Sequence, residues 1–163
     1  MASLKFTAFS ITPALASLPQ QATLDYTYEL TLDRVDVQSM GNQMITSMMT
    51  DHSGAERTSV DLTNGTVSFS DSSVSYEIDG NAEITVWGED AKIHDKLLTG
   101  QDPHKAPGKP GSYTKTRSFQ TLSTNLAEDW MFNDEIFLTL TIRYPGRTLE
   151  ATSAVFTGNW SRA

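Results

Sequence analysis

Ten consecutive residues, Leu24-Asp25-Tyr26-Thr27-Tyr28-Glu29-Leu30-Thr31-Leu32-Asp33, alternate strictly between apolar or aromatic side chains and polar ones. A period of two describes a strand with one face buried and the other wet, whereas a helix would scatter the same apolar side chains around its circumference. The pattern returns in Ile136, Leu138, Leu140, Ile142 and Tyr144, followed by the turn Pro145-Gly146 and a returning hairpin strand over 148–160. Shorter stretches of the same kind predict strands at about 57–62, 66–70, 73–79, 82–88 and 113–122, with a first strand around Phe6 to Ile11. Asn64-Gly65 predicts a tight hairpin turn, because both residues tolerate positive φ, and Gly80-Asn81 is read the same way. The apolar phase switches between Phe69 and Val74, which places a bulge or turn in 70–73.

Two stretches break the strand pattern. Met40, Met44, Ile45, Met48 and Met49 recur at helical spacing, leaving a short helix or an irregular strand open. Residues 100–112 hold three of the six prolines together with Gly108 and Gly111, and predict a Pro/Gly-rich loop leaving the domain. Eight or nine short strands with little helix predict an all-β fold, an antiparallel β-sandwich of immunoglobulin-like or jelly-roll type, with 1–163 as a single domain. The Cys…Trp…Cys signature of true immunoglobulin domains is missing, since the chain has no cysteine.

Composition narrows the chemistry. Ser and Thr make up 38 of the 163 residues, and the Thr share suits half-exposed strands. Without cysteine there is no disulfide scaffold, thiolate nucleophile or cysteine-ligated metal. Twenty acidic against 12 basic residues give a net charge of -8, which disfavours a nucleic-acid partner. No apolar run is long enough to span a bilayer. Thr7, Ser10, Thr12 and Pro13 interrupt the apolar stretch after Lys5, so that segment reads as a strand and not as a cleaved leader. Nothing in the sequence assigns a compartment.

No constellation for nucleophilic catalysis is present. There is no Gly-x-Ser-x-Gly elbow, and Asp51-His52-Ser53 are contiguous, so they cannot all face one substrate. The chain is therefore expected not to be an enzyme, with a small carboxylate-dependent hydrolase as the least favoured option. Carboxylates pair at Glu89-Asp90, Glu128-Asp129 and Asp134-Glu135. Converging loops could offer calcium its hard oxygen donors, although such pairs also solubilise loop ends, and no cofactor is otherwise expected.

Three tryptophans lie beside polar groups: Trp87 near Glu89 and Asp90, Trp130 after Asp129, and Trp160 after Asn159. An exposed indole beside Asp or Asn can stack on a sugar ring, while a buried one simply packs. Met40, Met44, Met48 and Met49 suit a core or a subunit contact. His104, Lys105 and Lys109 place positive charge in the 100–112 segment of an otherwise acidic chain. Two functional expectations follow. The first is a structural or binding protein acting through self-assembly or protein–protein contacts, as a homo-oligomer or in a larger assembly. The second is a lectin-like carbohydrate-binding protein, with calcium as an optional aid.

Overall fold

The computed structural model describes residues 2–15, 20–39, 57–61, 65–69, 73–75, 77–89, 94–127 and 133–160. It is an antiparallel all-β sandwich. Strands β1 (Ser3–Thr12), β2 (Gln21–Leu32) and β8 (Gly111–Leu122) form one sheet in the order β1-β2-β8. The facing sheet runs β10 (Arg147–Thr152), β9 (Asp134–Tyr144), β6 (Glu77–Gly88), β7 (Asp95–Pro107), with β11 (Phe156–Gly158) also paired to β9. A third, small sheet contains β3 (Arg57–Asp61), β4 (Thr66–Phe69) and β5 (Ser73–Ser75).

The two periodic segments become the middle strands. Leu24, Tyr26, Tyr28, Leu30 and Leu32 of β2 are buried, as are Ile136, Leu138, Leu140, Ile142 and Tyr144 of β9, and these two faces supply about half of the core. Pro145-Gly146 turns the chain between β9 and β10 with Gly146 at φ +76, and Gly65 at φ +66 follows as expected between β3 and β4. Among the described residues, helix is limited to a turn over 34–39 and a 3-10 turn at Ser123–Asn125. The first begins at Asp33, whose carboxylate accepts the Asp36 amide at 2.8 Å; Asp36 in turn pairs with Arg147 at 3.0 Å.

Three expectations change. The 100–112 segment is not a loop: β7 continues to Pro107, β8 starts at Gly111, and only 108–110 turns between them. Prolines are tolerated because β7 is the last strand of its sheet. The Lys105 carbonyl accepts a hydrogen bond from Lys115 Nζ of β8 at 3.2 Å, so the backbone of residue 105 faces away from β6. With a period of two, residues 101, 103 and 107 face the same way, and Pro103 and Pro107 therefore remove no donor from the β6–β7 ladder.

Gly80-Asn81 is not a turn either, since β6 runs straight through it. A Cβ on Gly80 would lie 2.7 Å from the Tyr144 ring and 2.9 Å from the Arg143 carbonyl, so this glycine provides room over the sheet and not a bend. The strand read at 73–79 is divided between β5, in the small sheet, and β6; that at 148–160 is divided between β10 and β11. Between the latter pair, the Ser153 amide donates to the Leu138 carbonyl, and its hydroxyl accepts the Leu138 amide at 2.8 Å. A side chain thus stands in for the ladder where the strand breaks. The methionines 40, 44, 48 and 49 and residues 70–72 of the phase switch read at 70–73 lie outside the described residues, while Ser73 begins β5.

Candidate functional site

The two lateral sides of the sandwich differ. On one, β1 packs against β10 and β11, and the chain after β11 fastens the corner. Phe9 meets Phe156 with ring centroids 6.0 Å apart, and Phe156 stacks on Trp160 at 6.2 Å. Trp160 is 2% exposed; its indole N–H donates to the Pro13 carbonyl at 2.8 Å and its amide to the Asp134 carboxylate at 3.0 Å. The Asn159 amide donates to the Ala14 carbonyl at 2.9 Å. Trp160, Asn159 and Asp134 therefore serve a buried closure, which corrects the reading of the Asn159-Trp160 pair as a ligand-stacking site. Gly158 completes it, because a Cβ there would fall on the Trp160 ring.

On the other side, β7 and β8 are the outer strands of their sheets, and among the described residues neither has a strand paired to its outer edge. They are joined through 108–110, where the Tyr113 hydroxyl donates to the Lys109 carbonyl at 2.6 Å and Lys115 bridges to β7. Away from that joint the strands part around a cleft of about 320 Å³. Tyr26, Ile84, Val86, Leu98 and Phe119 form an apolar floor, and Gln101, Asp102, Arg117 and Thr121 stand among its polar lining. Even positions of β2 and odd positions of β8 share the inner face, so Tyr26 lies directly opposite Arg117 and Leu24 opposite Phe119. Tyr26 meets Phe6 at 6.0 Å and Phe119 at 6.3 Å, both edge to face, which fixes the floor.

Beside this cleft is a buried polar row. His104 of β7, Gly80 of β6 and Tyr144 of β9 are neighbours across three strands. The Tyr144 ring extends over Gly80, and its hydroxyl is 2.8 Å from His104 Nδ1. The Tyr28 ring packs on His104 at 5.9 Å from the facing sheet. Burial, with Lys115 and Arg117 adding positive potential, lowers the His104 pKa to about 4. Burial also raises the Tyr28 hydroxyl to about 12, Arg117 partly opposing the rise, and it raises Tyr144 further. All three groups are neutral near pH 7; the Tyr144–His104 hydrogen bond holds the row together, and His104 Nε2 is buried with no hydrogen-bond partner among the described residues. His104 is 2% exposed, which removes it from the surface charge expected of that segment; Lys105 and Lys109 are exposed, Lys105 facing Asp79 at 3.8 Å.

The remaining candidates are on the outer face of the β6–β9 sheet or outside the described residues. Trp87 is half-buried, donates its indole N–H to Thr139 Oγ1 at 2.8 Å, and lies nearly parallel to Phe137 with centroids 6.3 Å apart. His94 meets Phe137 edge to face at 5.1 Å. Glu83, Lys96, Arg143 and Glu150 border a shallow depression of about 350 Å³ on this face. The Glu89 amide donates to the Glu135 carbonyl at 2.7 Å, continuing the ladder past β6. Asp90, Glu128, Asp129 and Trp130 lie outside the described residues. Among those described, no three His, Asp or Glu side chains converge as metal ligands, and Asp134 of the proposed calcium set is committed to the Trp160 amide. No described helix is long and apolar enough to cross a membrane.

The cleft escaped the sequence reading because its parts came from strands far apart in the chain. A usable signal was nonetheless present: residues 103–127 contain Lys105, Lys109, Lys115 and Arg117 and no Asp or Glu.

No protein-family model matches the chain, and no curated protein matches it. Among solved structures, the chain is similar to the sporulation control protein Spo0M of Bacillus subtilis, at 4% identity and TM-score 0.41 over 99% of this chain and 49% of that one. It is also similar to a β-glucosidase of Kluyveromyces marxianus in complex with glucose, at 7% identity and TM-score 0.38 over 97% of this chain and 14% of that one. The selenomethionine form of that enzyme matches at 8% identity and TM-score 0.38, over 98% and 14% of the two chains. The chain thus spans about half the length of Spo0M and about a seventh of the β-glucosidase.

Proposed function

We propose that this protein is a non-catalytic binding module that works through protein contacts, docking an extended segment of a partner in the seam between β7 and β8. One observation carries the reading: β8 is a twelve-residue outer strand beside a cleft with an apolar floor, while the opposite side of the sandwich is fastened shut. An unpaired edge offers backbone donors and acceptors to an added strand, and neighbouring pockets select its side chains. Phe119 is half-buried at this edge and would lie under the added strand.

The reading is tested by selecting random peptides as long as β8 for binding to the full chain. Enrichment on the wild type, lost on Phe119→Asp, and slowed amide exchange along β8 in the bound form are expected. A selection that enriches nothing dependent on β8 discards the proposal.

The Trp87–Phe137 pair favours a second reading, glycan binding on the outer face, because two nearly parallel rings lie there among threonines and carboxylates. A glycan array that responds to the wild type and not to Trp87→Ala would support it, and a blank array would remove it.

A further inference from the structure

We infer that the partner segment is acidic and belongs to a different protein, with carboxylates at alternate positions facing Arg117 and Lys115; this rests on the docking role proposed for the seam. The inner face of β8 presents Tyr113, Lys115, Arg117, Phe119 and Thr121 in turn, by the register that sets Tyr28, Tyr26 and Leu24 against Lys115, Arg117 and Phe119. A strand added to its outer edge, which no described strand pairs, places one side chain opposite each of these. Running antiparallel, such a strand reads apolar-x-acid-x-acid from its N-terminus, opposite Phe119, Arg117 and Lys115 in that order.

Three observations converge on this occupant. Arg117 forms no salt bridge within 4 Å among the described residues; it shares the cleft lining with Asp102 and reaches the Tyr28 hydroxyl. The stretch 103–127 holds four basic residues and no acidic one in a chain whose net charge is -8, so β8 itself presents positive charge without an acid beside it in sequence, which favours an acidic segment at this edge. Pro103 and Pro107 remove outward donors from β7, whereas β8 has no proline from Gly111 to Leu122, so strand addition is directed to β8.

A second copy of the chain fits poorly. Two β8 strands paired about Thr116 would set Lys115 against Arg117 twice, and like charges directly opposite destabilise a pair. The sequence holds one acid-x-acid pair, Glu77 and Asp79, preceded by Ser75 and lying in β6, which is already bonded to β7 and β9.

The test uses the full chain and a fluorescein-labelled synthetic peptide of the form Val-Thr-Glu-Thr-Glu within a neutral frame. Anisotropy should show binding that weakens as salt is raised, and replacement of both glutamates by glutamine should weaken it about tenfold. Arg117→Glu, at an exposed position, should abolish binding and restore it to the matching lysine peptide. N-methylation of alternate peptide amides, which keeps every charge, should also abolish it. An N-methylated peptide that binds as well as its parent overturns strand addition. Peptides selected through β8 without alternating acids overturn the acidic partner and leave the docking role standing, whereas failure to select any peptide through β8 sinks both. A dimer by light scattering whose β8 amides are mutually protected overturns the assignment to a different protein.

Discussion

His104 carries a titratable ring into a place where water cannot help it. Tyr28 of β2, Tyr144 of β9, and Lys115 and Arg117 of β8 are the titratable groups around it. Burial and the two cations lower its pKa to about 4, against an ordinary 6.5 in the unfolded chain. Between those values the unfolded chain binds a proton that the folded one refuses, so stability must rise with pH across this window. The contribution is complete above about pH 6.5 and lost as pH falls through about 4, and the shift corresponds to about 3 kcal/mol. Urea unfolding of the wild type and His104→Leu from pH 7 to 4 checks this: the wild type should lose about 3 kcal/mol more stability than the variant over that range. Coinciding slopes would show that the ring is not refused its proton in the folded state. None of this was legible in the sequence, where His104 stands among prolines and lysines and reads as a solvated loop residue.

At the scale of elements, legibility followed the pattern of burial. β2 and β9 are middle strands with one face in the core, so their alternation is strict, and both were readable from it. β7 is an outer strand with a largely exposed run of side chains, so no alternation marks it, and its prolines mimic a loop. Gly80-Asn81 misleads for another reason. A turn glycine and a glycine that admits a neighbouring ring are identical in sequence, and only the Tyr144 ring distinguishes them. The second role has a measurable consequence. In Gly80→Ala the new methyl meets the Tyr144 ring on one side and the Arg143 carbonyl on the other, and the backbone cannot yield as a flexible side chain would. A loss of about 1–3 kcal/mol is expected from such overpacking. The same substitution in a Tyr144→Leu background should cost less, because the ring that opposes the methyl is gone; equal costs in the two backgrounds would place the strain elsewhere.

For the molecule as a whole, the asymmetry between a fastened side and an open one should be visible in amide exchange. Amides of β2, β6 and β9 are bonded on both flanks of the sheet and should exchange only with global unfolding. β7 and β8 are bonded on one flank, so protection there should alternate with a period of two. The phase on β7 is fixed by the Lys105 carbonyl, which faces Lys115 across the seam. Asp102, His104 and Ala106 should therefore be protected through β6, while Gln101 and Lys105 exchange faster, with Pro103 between them carrying no amide. This alternation ties the sequence to the proposed role. The prolines fall on the outward positions of β7, whereas β8 carries none from Gly111 to Leu122 and has no strand paired to its outer edge among the described residues. Protection that is uniform along β8, measured in the free chain, would mean that its edge is already covered, and the seam would then be unable to accept a strand. Alternation on β8 that disappears when an acidic peptide is added would place the added strand at this edge.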